Sequence, residues 1–134
     1  MATTTHFLDR IMGNVFKSDT DPALPTNYYI GLSTTNPASS VTEPSGGAYA
    51  RVCITSPMKL GAPSGGVITN DSSISFPTST ASWGTVTHYV IYDAATGGNL
   101  LMYNALTNSI AVGAYTNVVI RTGDLELTLS DAAS

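Results

Sequence analysis

Charge is what this sequence has least of. Only 10% of its 134 residues are Asp, Glu, Lys or Arg, against about 25% in an ordinary soluble protein. The five basic residues, Arg10, Lys17, Arg51, Lys59 and Arg121, are scattered, and the net charge is −4. A nucleic-acid surface must neutralise several phosphates together, so that partner class is excluded. No apolar run approaches the roughly 18 residues of a membrane-spanning helix, so no membrane partner is expected. A single cysteine, Cys53, leaves no internal disulfide to form. The opening MATTTHFLDR has no basic region leading into an apolar stretch, so no secretory signal is expected. The chain is expected to be made and folded in a reducing cytoplasm, with Cys53 either buried or bridging copies after release into an oxidising medium.

In place of charge the polar residues are Thr, Ser, Asn and Gly. Covering such a surface strips no ions of water, so a neighbour can sit on it at a small desolvation penalty. Composition therefore points to a subunit of an assembly. Apolar residues make up 43% of the chain, enough for one domain with its own core and no metal or disulfide support.

Residues 5–17, THFLDRIMGNVFK, carry the one helical pattern, with apolar side chains at Phe7, Leu8, Ile11, Met12, Val15 and Phe16. Thr4 or Thr5 can cap its start, and Asp9 lies where the helix dipole favours an anion. SDTDPALP ends it with two prolines. This stripe is expected either to pack on the domain's own sheet or to dock on a partner. From residue 27 the chain reads as β: NYYIGLS, AYARVCIT, SISF, VTHYVIYD, NLLMYNAL, NVVIRT and DLELTLS, separated by Gly-, Pro- and Ser-rich turns. In the last segment Leu125, Leu127 and Leu129 alternate with polar residues. The expected architecture is mainly β: an antiparallel sandwich, jelly-roll-like or Ig-like, with one short N-terminal amphipathic helix. Residues 1–26 form the helix and a Pro-containing linker, and 27–134 the sandwich. The stretches 34–48 and 56–72 are expected to be surface loops or arms.

Candidate chemistry concentrates in residues 82–101, SWGTVTHYVIYDAATGGNLL. Two β-rich runs joined by a short Gly-containing turn make a hairpin. Strict alternation puts His88 in a row with Val86, Val90 and Tyr92, while Thr87, Tyr89 and Ile91 face the other way. Asp93 begins the turn, where its side chain can bond to the loop backbone. His88 and Asp93 thus form no local dyad. A Cys53–His88 nucleophile would need flanking motifs that are absent. No G-x-S-x-G, HExxH, P-loop or CxxC occurs, and Asp19 and Asp21 lack the Gly and distal Glu of a calcium loop. No zinc-ligand spacing is visible. No catalytic, cofactor-binding or metal-ligating residue is assigned, and an enzyme is not expected. The aromatics, Trp83 and the tyrosines, suit core or interface anchors or a sugar-binding platform. Phe76, Trp83, Tyr89 and Tyr92 are expected to lock the two sheets together.

Three stretches, YYIGLSTTNPASSVTEPSGGAYARV, ISFPTSTASWGTVTHYVIYDAATGGNLL and DLELTL, resemble a family of small tailed-bacteriophage structural proteins usually labelled tail fibre proteins. The resemblance covers about residues 5–129 and includes the short N-terminal helix. It implies a component of the virion exterior, assembled in the host cytoplasm, that works by non-covalent association with capsid or tail subunits. No catalytic residues come with it, and the loop content at 56–72 departs from the family pattern. A fibre usually carries a long shaft, and this chain has no coiled-coil shaft, triple-helical repeat or second domain. A capsid decoration or cement protein and a short tail-fibre or adaptor subunit are both open. A homo-oligomer, a trimer first, would cover the sparsely charged faces by closed symmetry. The alternative is a glycan- or receptor-binding module at a fibre tip, with a host surface receptor as partner.

Overall fold

The computed structural model describes residues 2–16, 27–56 and 58–128. Its elements are β1 (Ala2–Thr3), α1 (Thr5–Phe16), β2 (Tyr29–Ser33), β3 (Val52–Cys53), β4 (Val67–Thr69), β5 (Ile74–Ser75), β6 (Gly84–Tyr92), β7 (Leu100–Val112), β8 (Val119–Ile120) and β9 (Glu126–Thr128). One five-stranded antiparallel sheet runs in the order β1-β7-β6-β2-β3. Two two-stranded antiparallel ribbons, β4–β9 and β5–β8, accompany it. Side chains from the sheet (Ile30, Leu32, Ile91, Leu101) and from the ribbon segments (Ile74, Val118, Leu125) share one core. The fold is the sandwich expected from the strand pattern, with its second layer broken into short ribbons rather than one continuous sheet.

The β6–β7 hairpin is the spine of the molecule. Its turn is closed by Asp93, whose carboxylate accepts from the Asn99 backbone N–H at 2.7 Å and from the Asn99 side-chain amide at 3.1 Å. Gly98 lies in the left-handed region at φ 75°, and a Cβ there would come within 2.5 Å of the Asp93 carboxylate. β-branched and aromatic residues then hold the strands for nine residues of β6, a length of roughly 30 Å.

The β6–β7 pairing shifts register in two places, between Ile91 and Tyr92 near the turn and between Val86 and His88 farther along. Val86 faces Ile110 while His88 faces Ala105, so extra residues of β7 bulge out between them. The irregularity resets the alternation, as a bulge does. Val86 therefore joins Tyr89 and Ile91 in the core cluster, and not the row of His88 as period-two reading of the strand predicts. β7 is also longer than the segment NLLMYNAL, because the strand runs on through the bulge to Ile110–Val112, which pair with Val86–Gly84.

The stretch 56–72 is not simply an arm. It contains β4, bound to β9, and isolated bridges Thr55↔Met58, Leu60↔Asn70 and Ser64↔Val67 fold it back on itself. Buried Asn70 fastens it: the side-chain amide donates to the carbonyls of Ser72 and Arg121, and its oxygen accepts from the backbone N–H groups of Gly123 and Leu125. Loop 34–48 is pinned similarly, with buried Ser33 accepting from the N–H groups of Thr35 and Thr42. Leu125 is fully buried and Leu127 packs against the core; the expectation for Leu129, and the linker at 17–26, lie outside the described residues.

Candidate functional site

Helix α1 is held at its root and bare along one side. Thr4 caps it, accepting from the Phe7 N–H at 3.4 Å. The same residue donates its hydroxyl to the Leu100 carbonyl at 2.7 Å and its N–H to the Leu101 carbonyl at 2.9 Å. Together with the β1–β7 pairing, the cap fixes the helix to the turn end of the hairpin. Phe7 and Ile11 point inward, Phe7 meeting Tyr28 edge-on at 6.2 Å between ring centres. Leu8, Met12, Val15 and Phe16 keep 44%, 55%, 62% and 74% of their surface exposed. The apolar stripe thus divides into two faces. Adjacent helical residues point about 100° apart, so a stripe built from neighbouring pairs such as Phe7–Leu8 is too wide for a single contact.

Beneath the inward face lies an apolar cavity of about 330 Å³ between α1, the sheet and the β4–β9 ribbon. Phe7, Ile11, Tyr28, Ile68, Met102 and Leu127 are among its walls. Its hydrocarbon lining presents almost no group that could orient a polar ligand.

The opposite end of the hairpin is arranged differently. Trp83 is buried, donates its indole N–H to the Gly47 carbonyl at 2.9 Å, and meets Tyr49 edge-on at 5.3 Å. Gly47 has φ 59°, and a Cβ on it would sit 3.0 Å from the indole nitrogen. Phe76 and Tyr89 are buried in the same cluster, and the Tyr89 hydroxyl donates to the Glu126 carbonyl at 3.3 Å. Tyr92 is not with them. It follows Ile91, which faces the core, so alternation turns its ring to the other face of the sheet, under the Arg51 guanidinium at 3.6 Å.

Arg51 is the centre of a polar cluster that the strand pattern does not reveal. It binds Glu43 through two contacts, 2.9 Å and 2.7 Å, and donates to the carbonyls of Ala94 and Gly97, each at 2.8 Å. The Tyr49 hydroxyl donates to Glu43 at 2.6 Å and accepts from the Leu32 N–H at 2.9 Å, standing in for a strand neighbour at the edge of β2. Gly31 makes the space, because a Cβ there would come within 2.7 Å of both the Glu43 carboxylate and the Tyr49 hydroxyl. Burial alone would raise the Glu43 carboxyl, but the hydrogen bonds from Arg51 and Tyr49 outweigh it and hold Glu43 below the usual carboxylate range. Burial, and next the bond to Glu43, push the Tyr49 phenol far up, so it stays neutral. The available signal in the sequence was the pair Glu43 and Arg51, two opposite charges close together in a chain with few.

The residues that could carry chemistry are kept apart. His88 is half-buried, with Nδ1 2.8 Å from the Thr87 hydroxyl. It pairs with Ser33 at one end of β2, whereas Cys53 pairs with Tyr29 at the other. Four residues of strand, about 13 Å, separate the two positions, and no Cys–His pair forms. Cys53 is partly exposed on edge strand β3 rather than buried. Burial would raise its thiol, but hydrogen bonds led by the Thr55 backbone hold it below its ordinary value. Asp19 and Asp21 lie outside the described residues, and among the described residues no group of three His, Cys, Asp or Glu could hold a metal ion. No helix among them is long and apolar enough to cross a membrane.

At the loop end, buried Ser79 gathers a turn. Its hydroxyl donates to the Gly113 carbonyl at 2.5 Å and accepts from the Thr116 N–H at 2.9 Å, and its carbonyl accepts from the Tyr115 N–H at 2.6 Å. Tyr115 is held at φ 62° with 82% of its surface exposed. Between Ser72 and Ile120 the only charged residue is Asp93, at the other end of the hairpin.

Two comparisons bear on this arrangement. A family model described as Podophage GP4 fiber I protein gp80 matches residues 3–128. No curated protein matches the chain.

Proposed function

The chain belongs to the Podophage GP4 fiber I protein gp80 family, and from that premise we propose that it is a short fibre or adaptor subunit on the exterior of the particle. It works by non-covalent association, with the helix end of the hairpin inward, toward its assembly partners, and the loop end outward. The observation that carries this reading is the bare side of α1: four large apolar residues exposed on a helix whose root is fixed to the sheet. A monomer gains nothing from such a face, whereas a subunit gains the burial of its carbon on assembly. The sparse charge of the rest of the surface fits closed symmetry, with a trimer as the first expectation. The reading assigns the chain no reaction and no cofactor.

Cryo-electron microscopy of intact particles, with the copies of this chain counted, tests it. A small number of copies at the tail is the expected result. Hundreds of copies on the coat lattice would replace it with capsid decoration, and absence from the particle would overturn both.

Tyr115 favours one addition. A tyrosine in the left-handed region, its backbone bonded to Ser79 and followed in the chain by uncharged Thr116 and Asn117, offers an exposed apolar ring in an uncharged stretch, which suits a neutral sugar better than a charged ligand. Glycan-array binding that is lost in Tyr115→Ala would support this role, and an array without binding would remove it.

A further inference from the structure

The cavity behind α1 has no part in assembly through the outer side of the helix. Its floor is laid by buried Ile91 and Met102. Phe7 and Ile11 of α1 form one wall, and Ile68 and Leu127 of the β4–β9 ribbon form another. These four wall residues are only half-buried, so the space runs out to solvent between helix and ribbon. A molecule can enter without unfolding the chain.

The chemistry of the lining selects the guest. Tyr28 and Thr55 bring its only polar side chains, and neither is charged. Burial raises the Tyr28 phenol above its ordinary value, which keeps it neutral. The Thr55 hydroxyl is already committed, accepting from the Tyr28 N–H at 3.0 Å and donating to the Asn27 side-chain carbonyl at 3.1 Å. A water held inside a protein needs two to four polar partners, and this lining does not supply them. An apolar cavity of about 150 Å³ stays dry and admits benzene; this one, at about 330 Å³, is about twice as large. Interiors close-pack with few voids larger than a water molecule, and an empty void costs stability in proportion to its volume. An apolar guest recovers that loss and strips no polar group of its partner.

We infer that the cavity is a binding site for a hydrocarbon chain. The open side admits a chain lengthwise, and a polar head group at its end stays in water at the opening, because nothing inside would pair with it. A guest in contact with Phe7 and Ile11 on one wall and with Ile68 and Leu127 on the other joins the helix to the ribbon. Its binding therefore stabilises the seat of α1. The inference rests on the cavity alone and stands or falls separately from the fibre reading.

The full chain, isotope-labelled at its methionine methyl groups, tests this by NMR. Met102 lines the cavity, whereas Met12 and Met58 are exposed outside it. Saturating n-nonane should shift the Met102 signal, leave Met12 and Met58 unmoved, and raise the unfolding midpoint. Decanoate below its micelle concentration extends the test to a chain with a head group. Shifts with both probes support the inference with a lipid as the source, and a shift with nonane alone supports it with a free hydrocarbon. Ile68→Trp and Ile11→Phe fill the space from opposite walls and should abolish the Met102 shift. An unmoved Met102 signal in the parent overturns the inference, and that titration decides even if neither variant folds. A shift that persists in the folded variants also overturns it, as does a response to decanoate without nonane. A Met12 shift as large as that of Met102 would mark adsorption to the outside of the helix and overturn it too.

Discussion

At the helix end of the β6–β7 hairpin the molecule leaves carbon in water; at the loop end it places polar atoms in protein. Leu8, Met12, Val15 and Phe16 of α1 are exposed, and a cavity of about 330 Å³ lies behind the same helix. Around Trp83, by contrast, Ser79 and Tyr49 have partners for their buried polar atoms, and Tyr49 carries the network through Glu43 to Arg51, which reaches back along the sheet to the hairpin turn at Ala94 and Gly97. Polar groups buried with partners confer a unique arrangement at little net gain in stability, whereas unburied apolar groups hold their gain in reserve for association. The loop end is therefore finished within one chain and the helix end is not, and substitutions should tell the two apart.

The largest effect is expected at Trp83. Trp83→Ala removes the ring that bridges Gly47, Tyr49 and the sheet and should destabilise the chain by about 3–5 kcal/mol in chemical denaturation. A loss under 1 kcal/mol would mean that the loop end is not the rigid one. Arg51→Met leaves Glu43 in place without its cation, and should cost about 3 kcal/mol; retention of parental stability would show the cluster to be solvated. Gly31→Ala tests the same cluster from below, since the new methyl collides with Glu43 and Tyr49, and a loss of about 1–3 kcal/mol is expected.

Acid sharpens the contrast. The folded-state pKa of Glu43 is depressed below its ordinary value of 4.5. Its contribution to stability is therefore complete above that value and is lost as pH falls through the lower folded value. Stability measured from pH 6 to pH 3 should decline in the parent chain, and the decline should be shallower in Glu43→Gln. Parallel curves would sink the assignment. The smallest effect on folding belongs to Phe16, 74% exposed. Phe16→Ser should change the unfolding free energy by no more than about 0.5 kcal/mol. Phe7→Ala, on the inward face of the same helix, should cost about 2–3 kcal/mol.

Much of this was legible in the residues. The period of the apolar pattern announced α1 and the turn residues marked the hairpins. Asp93 closes its turn through Asn99 as an Asx residue at a strand end does. Trp83, Phe76 and Tyr89 are buried in the core cluster. Val86 left its expected row because a bulge inserts residues on β7, whereas Tyr92 lies opposite Ile91 as alternation has it, on a face that carries Arg51 and not the core. β4 was hidden in a Pro- and Gly-rich stretch, since Val67–Thr69 is too short to carry a period and is a strand only because β9 lies beside it.

Composition and periodicity by themselves determined that this is a sparsely charged β protein with one amphipathic helix, because those properties are local to short windows of chain. Tertiary structure decided which half of the helix stripe is buried, that His88 and Cys53 lie at opposite ends of β2, and that Glu43, Tyr49 and Arg51 converge over Gly31. Each of these depends on the packing of segments far apart in the chain, and long-range packing leaves no trace in the spacing of neighbouring residues.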